Sequence, residues 1–97
     1  MKTAMAFASM NEIHQYGRRL LQQKKPKEAL EIFKTNFAKN PGQFTTLMGM
    51  TRGYSANGDF KNALKFAQQA LPLAPDTNNK NNVTTIIEKL KKGEDVN

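Results

Sequence analysis

Slid against itself by 34 positions, the chain matches itself without a gap: residues 10–43 fall on residues 44–77. Arg18 meets Arg52, Lys27 meets Lys61, Ala29 meets Ala63, Leu30 meets Leu64 and Pro41 meets Pro75. Between these identities the exchanges keep apolar character, as in Ile13 with Leu47, Tyr16 with Met50, Leu20 with Tyr54 and Ile32 with Phe66. A period of about 34 residues is one supersecondary unit long, and such a unit cannot bury its apolar face alone. Two copies side by side must therefore stack, which restricts the fold more than any other feature of the sequence.

Within each copy the apolar spacing is helical. Ile13, Tyr16, Gly17, Leu20 and Leu21 recur three and four apart, on one face. Lys24, Lys25 and Pro26 interrupt that face, and proline suits the first turn of the helix that follows. Ala29, Leu30, Ile32, Phe33 and Phe37 form a second stripe, ended by Asn40, Pro41 and Gly42. The cycle restarts with Phe44, Leu47, Met48, Met50 and Tyr54. It turns at Asn57-Gly58-Asp59, where Asn or Gly can take positive φ and Asp59 can cap the next helix. Ala63, Leu64, Phe66, Ala67, Ala70 and Leu71 supply the fourth helix. Pro72 lacks a donor and clashes one turn back, so that helix is expected to end or kink near Leu71. A fifth helix is expected over residues 78–92, with Val83, Ile86, Ile87 and Leu90 apolar, a polar outer face and Gly93 as its stop.

These residues resemble the tetratricopeptide repeat. That family places a large residue, then Leu-Gly, then Tyr in its first helix, and Ala, an aromatic and Ala in its second, with Pro after it. The first copy gives Ile13, Tyr16-Gly17, Leu20, Ala29, Phe33, Asn36 and Pro41; the second gives Leu47, Met50-Thr51, Tyr54, Ala63, Ala67, Ala70 and Pro75. Asn36, Thr51 and Ala67 depart from the pattern. The resemblance covers residues 10–77 and implies an all-α chain of antiparallel hairpins stacked as a short right-handed solenoid. On this reading residues 1–9 are a segment that ends a preceding repeat, 10–43 and 44–77 are two repeats, 78–92 is a capping helix and 93–97 a tail. Ala4-Met5-Ala6-Phe7-Ala8 matches Ala70-Leu71-Pro72-Leu73-Ala74 well enough to suggest the end of a repeat. With two full repeats where such stacks usually need about three, a piece of a longer protein is an open reading. The whole also resembles the C-terminal repeat tails of larger bacterial proteins of unknown function.

In this family the first helices of successive repeats line a concave groove. The resemblance therefore implies groove positions at Asn11, His14, Arg18 and Gln22, then Thr45, Met48, Arg52 and Ser55, with Asn79 and Asn82 added by the capping helix. Arg18 and Arg52 stand at equivalent positions, so two guanidinium forks share one wall, suited to an acidic side chain or a chain-terminal carboxylate. The bland alternative is that both are solvated or bridge to a local acid such as Glu12. His14, the lone histidine, can titrate near neutral pH. The lysine and asparagine clamp of chaperone-binding members is not reproduced, because Gly49 stands where the second-repeat asparagine belongs.

Composition decides which classes fall away. With no cysteine in 97 residues, disulfides and thiolate chemistry are excluded. No Gly-rich phosphate loop, paired histidines or nucleophile beside a base is present, so catalysis and cofactor binding are not expected. No apolar run approaches the ~20 residues of a membrane span. Lys2 and the stretch from Thr3 to Met10 fall short of a signal peptide's ~7–15 apolar residues; the compartment stays open, cytoplasmic by default unless the chain belongs to a larger exported protein. Fifteen Lys and Arg against eight Asp and Glu give a formal net charge of +7. That excess favours acidic partners without choosing among them. Three functions remain: a scaffold binding a peptide or protein, an appendage that docks on its parent chain or self-associates, and a nucleic-acid binder, the last disfavoured by few exposed aromatics for stacking.

Overall fold

The structure, a computed structural model, describes residues 8–97. The expectations for the chain's first segment, a repeat end and the signal-peptide comparison, fall mainly on residues 1–7 and so lie outside the described residues. Five helices follow one another: α1 (Met10–Gln22), α2 (Pro26–Lys39), α3 (Phe44–Ala56), α4 (Phe60–Ala70) and α5 (Thr77–Lys91), with a 3-10 turn over Leu71–Leu73. Among the described residues there is no strand. Two hairpins, α1–α2 and α3–α4, stack so that α3 packs against α1, α2 and α4, while α5 closes the stack on α4. The architecture is all-α, as the repeat requires. No helix among the described residues is long and apolar enough to cross a membrane.

Local chemistry sets four of the five starts. Ser9 and Glu12 form a reciprocal capping box on α1, with Glu12 N–H donating to Ser9 Oγ at 3.1 Å and Ser9 N–H to Glu12 Oε1 at 2.9 Å. Pro26 occupies the first turn of α2, where its missing N–H has no helical partner to lose. Asp59 caps α4 and Asp76 caps α5, accepting from the N–H of Asn62 at 3.2 Å and of Asn79 at 2.8 Å. The stops follow one geometry used three times. After α3, Asp59 N–H reaches Tyr54 O and Gly58 N–H reaches Ser55 O, with Gly58 at φ +77°. The same pair of bonds follows α5 around Gly93, and follows α1 around Lys24, which takes φ +63° although it is not glycine. Helix α4 ends at Ala70 and the chain tightens into the 3-10 turn that carries Pro72. The fifth helix runs one residue ahead of the expected range at both ends because the Asp76 cap begins it at Thr77.

The core is built on size contrast. Ala29 and Ala63 are wholly buried, as are Phe33, Ala67, Ala70 and Val83. Phe33 from α2 inserts between the first helices of both hairpins, and glycines make the room. A Cβ on Gly17 would stand 2.5 Å from the Phe33 ring, and one on Gly49 2.7 Å. One on Gly53 would meet Phe33 at 3.1 Å and Leu30 Cδ1 at 2.9 Å. In the second hairpin the equivalent pair of positions holds Thr51 and Ala67, both fully buried, with the bulk moved to the other partner. Asn36, the departure at a small-residue position, is satisfied: its Nδ2 donates to Met10 O at 3.0 Å and its Oδ1 accepts from Asn40 at 3.1 Å.

Candidate binding groove

The same stacking that buries the Phe33 wedge sets α1 and α3 side by side along a groove. A cavity of about 190 Å³ lies there, between α1 (Asn11, His14, Arg18), α3 (Phe44, Thr45, Met48, Arg52) and the start of α5 (Asn79, Asn82). Eight of the ten residues expected from the sequence thus converge on one concavity. The other two part company with it. Gln22 lies one turn further along α1, on a larger adjoining cavity of about 590 Å³ that it shares with Arg18, Lys24 and Arg52. Ser55 is 1% exposed and is covered by residues 95–97, so it is not an open groove position.

Electrostatics dominate this wall. Among the described residues no carboxylate lies within 4.0 Å of either Arg18 or Arg52, and the one ion pair formed is Lys34 with Glu31. Glu12, the local acid available on α1, is held instead by the Ser9 cap, which lowers its carboxyl below the ordinary value. Burial first, and then the charge of Arg18, depress the Arg52 guanidinium, though a guanidinium remains cationic at any physiological pH. Burial, followed by the charges of Arg18 and Arg52, pushes the His14 imidazole down to about 4. At neutral pH it is uncharged. Its ring is tilted at 51° against Phe33, 5.5 Å between centroids, and its Nδ1 is buried with no hydrogen-bond partner. An uncharged imidazole lining the same cavity as two guanidinium groups that form no ion pair among the described residues makes a cationic wall with acceptor and donor capacity to spare.

Met48 proves to serve two surfaces: it is 6% exposed, belongs to the core around Leu47 and Ala63, and still lines the smaller cavity. Met50 is core alone. Sequence reasoning missed Phe44, which opens α3 at the rim, and Lys24, whose left-handed conformation sets it beside the larger cavity. It also missed the fold-back of the chain after α5. Ser55 Oγ donates to Asp95 Oδ1 at 2.7 Å and accepts the Val96 N–H at 3.0 Å, while Asn97 Nδ2 donates to Arg52 O at 2.9 Å. Burial works to raise the Asp95 carboxyl, but hydrogen bonds from Ser55, Asn97 and Val96 outweigh it and the net shift is downward. Gly93 signalled a reversal; nothing in the spacing could name a partner 40 residues earlier.

Stacked helical hairpins with a groove along their first helices define a helical-repeat scaffold. A family model described as the tetratricopeptide repeat matches residues 20–80, more than half of the chain, and the chain belongs to that family. Comparison with curated proteins and with solved structures gave no match. The family's general role is to hold protein partners rather than to catalyse reactions.

Proposed function

We propose that this chain is a scaffold whose groove between α1 and α3 takes a peptide or a segment of a partner protein, and that an acidic group of that partner seats between Arg18 and Arg52. The observation that carries the reading is the pair of guanidinium groups, placed on adjacent first helices, bordering the same cavities and unpaired among the described residues. Structural arginines usually find a carboxylate; two that share a concavity without one leave their hydrogen-bonding forks available to a ligand. His14 adds an unsatisfied ring nitrogen beside them. Asn11, Thr45, Asn79 and Asn82 supply neutral polar groups along the same wall, which suits a peptide backbone.

The test is a titration with short N-acetylated peptides carrying one to three acidic residues, followed by amide and imidazole chemical shifts. Shifts are expected to cluster on His14, Arg18, Thr45 and Arg52. Reversing both charges, Arg18→Glu with Arg52→Glu, is expected to weaken binding by about tenfold or more, equivalent to about 1.4 kcal/mol. Shifts scattered over the surface, or affinity indifferent to the double reversal, refute an acidic ligand in this groove. A self-associating appendage has less support, since Leu73 is the one large apolar side chain left exposed among the described residues. Nucleic acid predicts a steep salt dependence with no preference for peptides.

A further inference from the structure

One stretch of polypeptide already sits against the groove, and it belongs to the chain itself. Gly93, at φ +74°, reverses the backbone after α5 and sends residues 94–97 back to the last turn of α3. Three contacts there span 40 to 45 residues of sequence: Ser55 Oγ to Asp95, Val96 N–H to Ser55 Oγ, and Asn97 Nδ2 to Arg52 O. The Asp95 carboxylate also accepts from the backbone and side chain of Asn97, at 3.2 and 3.0 Å, so the three residues hold one another in shape. Val96 is half-buried against the core around Leu47 and Ala63. Asp95, Val96 and Asn97 form one wall of the 590 Å³ cavity, and Asp95 is the one acid bordering either cavity.

These are the marks of a bound peptide. Ser55 Oγ meets the acidic side chain of Asp95 and the backbone N–H of Val96, Arg52 O meets the Asn97 amide, and the aliphatic Val96 side chain packs on the core. Ser55 is spent entirely on this contact, with its hydroxyl both donating and accepting. The hold is modest, because Asp95 and Asn97 remain exposed and the net worth of each hydrogen bond is of the same order as the cost of ordering one residue. A tether this short keeps the segment at high effective concentration, yet a competitor can replace it.

We propose that the Ser55 hydroxyl and the Arg52 carbonyl form a recognition subsite for an extended acidic–aliphatic–amide segment. Asp95-Val96-Asn97 fill it in cis, and a partner segment of the same type enters by displacing them. The proposal rests on the reading that the groove takes a peptide, and names the side-chain pattern that one end of it selects.

The test needs no natural partner. The probe is a synthetic peptide of residues 92–97, acetylated and amidated, titrated into the full chain and into the full-length double variant Asp95→Ala with Val96→Gly. The opened variant is expected to bind the probe about fivefold more tightly or better, with shifts at Arg52 and Ser55, and a scrambled probe is expected to show no such gain. Adding Ser55→Ala to the opened variant is expected to remove the gain. Equal binding to both proteins, or a gain that survives Ser55→Ala, overturns the proposal. If the double variant loses its helical circular dichroism, deletion of residues 94–97 takes its place under the same two criteria. The acidic-peptide titration is judged by the Arg18→Glu and Arg52→Glu reversal and this one by Ser55→Ala, so failure of the acidic-group reading and failure of this subsite are told apart although Arg52 borders both.

Discussion

Phe33 shows how much of this molecule hangs on single atoms. Its ring is fully buried and gripped by three glycines, one from α1 and two from α3, at distances where an added methyl group would overlap it. The ring cannot retreat, since both first helices close on it. Gly49→Ala is therefore expected to cost about 1–3 kcal/mol by overpacking, read as a lower denaturant midpoint with unchanged slope. Gly49 is a position spent on packing, with no room for a side chain beside the Phe33 ring. His14 offers a second check at this scale. Its folded-state imidazole is depressed to about 4 from an ordinary 6.5, so between those values the unfolded chain binds a proton that the folded chain refuses. Stability contributed by this group is full above pH 6.5 and falls as pH drops toward 4. Urea midpoints at pH 7, 5.5 and 4.5 should show the loss, and His14→Gln should flatten that interval. The downward-shifted Asp95 acts lower, losing its contribution as pH falls through its own depressed value.

At the level of elements, the two hairpins are copies with unequal joints. Both first helices end in the same pair of reversed hydrogen bonds, yet the left-handed residue is Gly58 in one and Lys24 in the other. A side chain in that conformation costs roughly 1–2 kcal/mol that glycine does not, partly offset by glycine's greater freedom when unfolded. Lys24→Gly is thus expected to raise stability by about 0.5–1 kcal/mol, measurable as a higher thermal midpoint; a loss would show that Lys24 makes a contact worth more than its strain. Lys24, unlike its repeat partner Gly58, lines the cationic cavity. The helix boundaries were largely legible because proline, glycine and aspartate act locally. Pro72 ended α4 as its chemistry demands.

For the whole molecule, charge is the quantity with reach. The net +7 is not neutralised on the groove wall, where Arg18 and Arg52 face each other's field with no acid within 4.0 Å among the described residues. Such an arrangement works against folding and in favour of an anionic ligand. Arg52→Gln is accordingly expected to stabilise the free protein by about 0.5–1 kcal/mol at low ionic strength, the gain fading above about 0.3 M salt, while it weakens acidic peptides. Parallel melts in dilute and concentrated salt decide the first half. A loss of stability at both would mean that the arginine stem matters more to packing than its charge does to repulsion.

The 34-residue self-match determined the helices and their pairing in hairpins, since these follow from periodicity and from turn residues that act on their neighbours in the chain; the candidate groove positions came from the family resemblance, and eight of them line one cavity. Ser55 and Asp95 were decided by the tertiary structure alone. A hydrogen bond between residues 40 positions apart leaves no period to read, and only the closing of α5 onto α4 brings Gly93 to where the chain can turn back on α3. The three-glycine grip on Phe33 belongs to the same class: Gly53 carries no signal of its own until two helices arrive on either side of one ring.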